Sequence, residues 1–133
     1  MGQGVLTDTR FAEAGLTRSG GALHLGGAAL SAIAEQVGTP VYVYNAAAIR
    51  ARYRSLDAAL GALPHRICYA VKANSTLAVL RILRDLGAGA DIVSAGEMAR
   101  ALAAGFAPSG SSSAGWGRPR PSSGRRSGRG WDT

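Results

Sequence analysis

Apolar residues recur every three or four positions in four stretches of the chain, which is the spacing of an amphipathic helix. The predicted helices are 30–37, 46–60, 76–86 and 96–104. Asn45 precedes the second helix as its predicted N-cap, because its side-chain oxygen is free to accept a backbone N–H. That helix carries an apolar stripe, which we expect to be buried with the arginines around it in solvent: Ile49, Tyr53, Leu56 and Leu60.

Short runs rich in β-branched and aromatic residues lie between these helices. The predicted strands are 41–44, 66–72 and 90–94. Strands that alternate with helices in this way favour an α/β fold with a parallel sheet and right-handed crossovers. A βα barrel and a Rossmann-like sheet both meet this description, but no Gly-x-Gly-x-x-Gly turn follows any strand.

The second predicted strand delivers a lysine at its carboxyl end. In strand geometry Cys68, Ala70 and Lys72 share one face, so the lysine follows two small residues and has room beside it for a ligand. A surface lysine that merely closes a strand is the alternative. Further along, Ser94 and Glu97 have the Ser-x-x-Glu spacing of a capping box at a helix start.

The composition changes after Pro108. The chain has a net charge of +7, and residues 109–133 are rich in Ser, Gly and Arg and contain no Leu, Ile or Val. Such a segment buries too little apolar surface to offset the entropy of ordering, so we expect it to be disordered. We therefore divide the chain into an N-terminal segment (1–25), a folded domain (26–108) and a tail (109–133).

Several classes of protein are excluded by what the sequence lacks. Cys68 is the one cysteine, so no internal disulfide forms, and the residue is expected to be a small buried hydrophobe. His24 and His65 have no metal-binding partners at ligand spacing. No leader-like start and no long apolar run are present, so a cytoplasmic protein without membrane spans is expected.

Three blocks in register carry a resemblance to a known family: Gly38 to Tyr44, the run Tyr69-Ala70-Val71-Lys72-Ala73-Asn74, and Ala90 to Glu97. Over residues 20–108 the chain resembles the pyridoxal 5'-phosphate (PLP) dependent decarboxylases of diaminopimelate, ornithine and arginine. These enzymes are built on an alanine-racemase-like (β/α)8 barrel. The diaminopimelate branch fits best, and alanine racemases and small PLP-binding barrel proteins fit the third block less well.

The resemblance implies a function and a site. It makes Lys72 the lysine that forms a Schiff base with PLP, and it puts Asp91 near the cofactor. The alternative for Asp91 is that its side chain bonds a neighbouring loop. For Glu97, an active-site role is the alternative to helix capping. The implied reaction converts meso-2,6-diaminopimelate to L-lysine and CO2 in a homodimer, with ornithine or arginine as the alternative substrate.

The resemblance also implies that part of the family pattern is missing. About three βα units are present, so the expected fold is a partial barrel followed by the tail, and the chain alone is expected to be inactive. One choice of codons for residues 109–119, read with one added base, encodes Glu-Arg-Ile-Val-Phe-Ser-Gly-Val-Gly-Lys-Thr. We therefore predict that the tail is out of frame. The competing interpretation is a basic tail whose arginines and tryptophans bind single-stranded nucleic acid, which we do not expect.

Overall fold

The computed structural model describes residues 9–107 and 111–112, which form a mixed α/β structure. The described residues fall into two compact units. The first contains residues 9–65 with 85–87, and the second contains residues 66–84, 88–107 and 111–112. The division at residues 25 and 108 stays a prediction, since most of the tail lies outside the described residues.

The first unit begins with a short helix and a small antiparallel sheet. Its elements are α1 (Thr9–Glu13), β1 (Leu16–Ser19), β2 (Ala22–Leu25) and β3 (Ala28–Ala29). Strands β1 and β2 form a hairpin in which Ser19 pairs with Ala22. Gly20 and Gly21 close the hairpin at φ values of 57° and 80°, which glycine adopts at little cost. None of these elements was predicted from the sequence.

Two helices complete the first unit, and both were predicted. They are α2 (Leu30–Val37) and α3 (Ala46–Leu60). The predicted cap is confirmed, since Asn45 Oδ1 accepts the backbone N–H groups of Ala47 and Ala48 at 3.0 and 3.4 Å. Asn45 Nδ2 also donates to the carbonyl of Ala14 at 2.9 Å. One side chain therefore caps α3 and also holds the segment that precedes β1.

The apolar stripe of α3 is less buried than predicted, since Ile49, Tyr53 and Leu60 are half-buried and Leu56 is exposed. No residue of α3 is buried, and Leu56 is 51% exposed. The predicted strand 41–44 is also absent: this segment has no ladder partner in the described part of the chain, and Tyr42 is 88% exposed. The two corrections are related. Because residues 41–44 do not form a strand, the described part of the first unit has no parallel sheet against which α3 packs.

A histidine lies just beyond the end of α3. His65 Nδ1 lies 2.7 Å from the carbonyl oxygen of Leu63, and its Nε2 lies 2.9 Å from Asp57 Oδ1. Both ring nitrogens thus face oxygen acceptors. The Leu63 carbonyl, followed by Asp57, raises the pKa of His65 above 6.5 because these acceptors favour the doubly protonated ring.

The second unit contains a parallel sheet with the strand order β4, β5, β6. Its elements are β4 (Cys68–Ala70), a 3₁₀ helix (Val71–Ala73), α4 (Leu77–Asp85), β5 (Gly89–Asp91), α5 (Ala95–Ala103) and β6 (Ser111–Ser112). One core cluster joins strands and helices: Val71, Leu80, Ala90, Ile92, Ala101, Ala104 and Phe106. The strand and helix alternation that predicted a parallel sheet is therefore confirmed for β4 and β5.

The observed boundaries differ from the predicted ones mainly in the strands. The strand predicted over 66–72 ends at Ala70, and the one predicted over 90–94 ends at Asp91. The helices predicted over 76–86 and 96–104 are found within one residue at each end. Gly87 and Gly105 follow them at φ values of 89° and 91°, as expected for helix stops.

The disorder expected for residues 109–133 is contradicted at two residues, which form a short strand. Ser111 and Ser112 pair in parallel with Ala90 and Asp91 of β5. Backbone N–H and C=O groups at an open strand edge pair with any extended segment, so two serines are enough. The rest of the segment predicted to be disordered lies outside the described residues, and so do the arginines and tryptophans of the alternative nucleic-acid interpretation.

Candidate active site

Lys72 lies in the 3₁₀ helix Val71–Ala73, hereafter the lysine turn, and not in the strand. The predicted sharing of a strand face by Cys68, Ala70 and Lys72 is therefore wrong, because the chain leaves the strand after Ala70. Val71 is fully buried in the core cluster, whereas Lys72 is exposed. The buried valine fixes the turn to the core while the neighbouring amine remains accessible.

Asp91 is the last residue of β5, the strand next to the lysine. Its register partner is Ala70, two positions before Lys72, so the two candidate residues lie at the carboxyl ends of adjacent parallel strands. Asp91 Oδ1 is buried and has no hydrogen-bond partner among the described residues. An unpaired buried oxygen costs free energy and is characteristic of sites that bind a ligand.

The loop that follows the lysine is held from both sides. Asn74 Oδ1 accepts the N–H of Thr76 at 2.9 Å, and the Tyr69 hydroxyl donates to the Asn74 carbonyl at 3.3 Å. From α5, Arg100 Nε donates to the Ser75 carbonyl at 2.9 Å. Neither Tyr69 nor Arg100 was predicted as a support of the site. The Arg100 contact spans 25 residues and leaves no periodic pattern in a sequence, whereas the Tyr69 bond spans five.

The start of α5 confirms the predicted capping box, with a shift of one residue. Ser94 Oγ accepts the N–H of Glu97 at 3.2 Å, as expected for an N-cap. The Glu97 carboxylate in turn accepts the N–H of Val93 at 2.9 Å, where a standard box uses the N–H of the cap residue itself. Glu97 therefore fastens the segment that follows Asp91.

The remaining candidates do not join this site. Cys68 is a free, half-buried thiol, and His24 has a buried Nδ1 without a partner among the residues described. Within 9–107 and 111–112, no three His, Cys, Asp or Glu residues form a group suited to a metal. Helices in the same part of the chain are all too short or too polar to cross a bilayer.

The chemistry of the two groups defines the ligand that they suit. An accessible primary amine forms a covalent bond with an aldehyde, and an unpaired carboxylate oxygen accepts a hydrogen bond from a donor on the same ligand. Lys72 and Asp91 supply these groups from neighbouring strand ends. The residues present therefore fit a small aldehyde that also carries a hydrogen-bond donor.

Comparison with known proteins identifies the family to which this chain is similar. Residues 46–115 match the family model described as "Pyridoxal-dependent decarboxylase, pyridoxal binding domain". The chain is 60% identical over 86 residues to a diaminopimelate decarboxylase of Pseudomonas fluorescens, which covers 65% of this chain and 21% of that protein. The corresponding enzyme of Vibrio cholerae is 54% identical over 80 residues, 60% of this chain and 19% of that protein.

Solved structures agree in fold. A crystal structure from Aquifex aeolicus matches 69% of this chain and 22% of its own, with a TM-score of 0.65 and 41% identity. A diaminopimelate decarboxylase from M. jannaschii, solved in complex with L-lysine, matches with a TM-score of 0.59 and 33% identity, over 67% of this chain and 22% of its own. The chain thus spans about a fifth of the length of these relatives.

Proposed function

Since the chain belongs to the family of pyridoxal-dependent decarboxylases, we propose that it carries the cofactor lysine of a PLP-dependent diaminopimelate decarboxylase. The whole enzyme would convert meso-2,6-diaminopimelate to L-lysine and CO2. One observation carries this proposal: Lys72 projects from a turn directly after β4, and the adjacent strand β5 ends in Asp91 with its unpaired buried oxygen.

Each residue has a distinct task in this reaction. PLP, when bound, supplies an electron sink for the charge that remains when a carboxylate leaves as CO2. The Lys72 amine would hold the cofactor covalently until the substrate binds. Asp91 Oδ1, buried and without a partner among the described residues, would accept a hydrogen bond from the cofactor and so orient it. Val71 keeps the lysine turn on the core, which limits the range over which the amine moves.

The proposed substrate comes from the relatives. The relatives from Pseudomonas fluorescens and Vibrio cholerae are diaminopimelate decarboxylases. The M. jannaschii enzyme was solved with L-lysine, the product that the proposed reaction would release. Ornithine or arginine remains the alternative substrate. Measurement of CO2 release from all three amino acids by the enzyme distinguishes these possibilities, and release from ornithine alone would contradict the proposed substrate.

We extend the proposal to the architecture. The parallel pairing of β4 with β5, with α4 between them, supports a partial (β/α)8 barrel. A cytoplasmic homodimer is proposed for the whole enzyme, on the family resemblance alone. Sedimentation analysis of the whole enzyme tests the dimer, and a monomer at working concentration would contradict it.

The out-of-frame tail is also part of the proposal. The Ser111–Ser112 strand lies where the shifted frame encodes Ile-Val, which supports this part of the proposal. We expect the nucleotide sequence across codon 108 to permit the one-base shift. Codons incompatible with the Glu-Arg-Ile-Val-Phe reading would contradict it.

Growth of a lysine-requiring bacterium that lacks its diaminopimelate decarboxylase tests the function directly. A gene with the missing base restored is expected to support growth, whereas the same gene with Lys72→Arg is not, because a guanidinium does not form the covalent bond to the cofactor. The 133-residue chain is expected to give no growth. Growth with Lys72→Arg in the restored gene would contradict the assigned role of Lys72.

Covalent labelling provides a second test on the chain itself. Lys72 is the single lysine among 133 residues, so reduction of the chain with borohydride in the presence of PLP labels only Lys72 and the terminal amine. Because Lys72 is exposed and a partial barrel leaves the cofactor largely in solvent, labelling of Lys72 is expected to be substoichiometric. Stoichiometric labelling at low PLP concentration would show instead that this chain already forms a complete site.

A further inference from the structure

Helix α5 contacts both loops that follow the strands of the candidate site. In its first turn, Glu97 accepts the N–H of Val93, just beyond Asp91. One turn later, Arg100 donates from Nε to the carbonyl of Ser75, just beyond the lysine turn. The helix also packs directly against the lysine turn. Residues three apart lie on the same helix face, so one face of α5 reaches both loops.

We propose that Arg100 is a positioning residue for Lys72, acting through the Ser75 carbonyl. This inference rests on the proposed function, because positioning has a purpose only if the lysine amine binds a ligand. Arg100 is exposed, and its hydrogen bond goes to a backbone carbonyl three positions after Lys72, so it is not assigned to the catalytic machinery. Its role is to keep the lysine loop and the Asp91 loop in fixed relation through one rigid helix.

The other hydrogen bonds described for this loop are local, and they do not connect it to α5. The Asn74 bond to Thr76 spans two residues and the Tyr69 bond to Asn74 spans five, so both stay within the lysine segment itself. The Arg100 bond is the one described hydrogen bond that ties this loop to α5. Its loss is therefore expected to loosen the loop relative to α5 while the local bonds persist.

Two substitutions separate the hydrogen bond from the bulk of the side chain. In Arg100→Gln the amide nitrogen lies at the same distance along the side chain as Arg Nε, so a donor remains. Arg100→Met has similar reach and no donor. Arg81→Met, on the exposed side of α4, makes the same chemical change in a helix of the same unit and is the control.

The experiment measures amide hydrogen exchange of residues 71–76 in the 133-residue chain. A net hydrogen bond corresponds to about a fivefold change in an equilibrium constant, so Arg100→Met is expected to speed exchange in this segment about fivefold. Arg100→Gln and Arg81→Met are expected to exchange as the parent chain does. Unchanged exchange in Arg100→Met, or equal acceleration in Arg100→Gln, would overturn the proposal.

The second readout is reductive labelling of Lys72 by PLP, measured against the terminal amine of the same molecule. Arg100→Met is expected to lower this ratio, since the turn then presents the amine in one orientation for a smaller share of the time, and Arg100→Gln is expected to restore it. A changed exchange rate with an unchanged ratio would show that Arg100 is structural only and would overturn the positioning role. If Arg100→Met exchanges faster but the restored gene does not support growth, only the proposed function is contradicted.

Discussion

Replacement of Asp91 by leucine is expected to stabilise the chain while removing a group from the site. Leucine has nearly the same shape as aspartate and places methyl groups where the carboxylate oxygens lie. Asp91 Oδ1 is buried with no partner among the described residues, and a buried polar atom without a hydrogen bond costs about 1–3 kcal/mol. Asp91→Leu is therefore expected to raise the free energy of unfolding by about 1–3 kcal/mol.

Urea unfolding followed by circular dichroism measures this gain. With a denaturant slope of about 1 kcal/mol/M for a small domain, the midpoint is expected to rise by about 1 M or more. Asp91→Asn is the matched control: it keeps shape and an unpaired polar atom, so its midpoint should lie close to that of the parent. Excess PLP should then stabilise the parent more than Asp91→Leu, because both chains keep Lys72 but only the parent keeps the Asp91 oxygen that accepts a hydrogen bond from the ligand.

The reasoning is refuted if Asp91→Leu unfolds at a lower urea concentration than the parent. Such a result would mean that the carboxylate already has a partner that stabilises it. Equal midpoints for the leucine and asparagine variants would show that the buried oxygen carries no measurable cost. In either case Asp91 would lose the feature that singles it out as a ligand-binding group.

Three further predictions concern the folded chain. Leu80 is fully buried, so Leu80→Ala is expected to cost about 2–5 kcal/mol in urea unfolding, whereas Leu102→Ala, at a side chain 47% exposed, should cost much less; equal losses would contradict the core assignment. Asn45→Ala removes the cap of α3 and should cost about 1 kcal/mol, with Asn45→Asp retaining most of it; an unchanged thermal midpoint for Asn45→Ala would be inconsistent with the cap. The carbonyl and carboxylate acceptors beside His65 raise its pKa above 6.5, so its contribution to stability is present below pH 6.5 and is lost as the pH rises through the higher folded-state value. His65→Gln should reduce this pH dependence of the urea midpoint, and an identical pH profile in the variant would contradict the assignment.

Local sequence rules predicted the helices well. Helices α2 and α3 lie at the predicted residues, and Asn45 caps α3 as expected. These features depend on residues within one or two turns of each other, so the sequence contains the information directly. The hairpin closed by Gly20 and Gly21 is equally local, and the Gly-Gly pair between two short runs was the pattern that could have identified it.

The failed predictions depend on contacts between distant parts of the chain. The segment 41–44 has the composition of a strand, but a strand exists only where a partner accepts its hydrogen bonds. The stripe of α3 has the period of a buried face, but burial requires an element to cover it. Likewise, the residues around Lys72 do not reveal that the chain leaves the strand after Ala70 or that Arg100 reaches the following loop.

The parallel pairing of β4 with β5 also has a consequence for the order of folding. The β1 and β2 hairpin closes over two glycines, and such local contacts form within about microseconds. Strands β4 and β5 pair only after the segment between them, which includes all of α4, has folded back so that the two strands lie side by side. Non-local pairing of this kind is slow. The lysine turn is therefore expected to acquire its final geometry late, after the hairpin and the first long helix have formed.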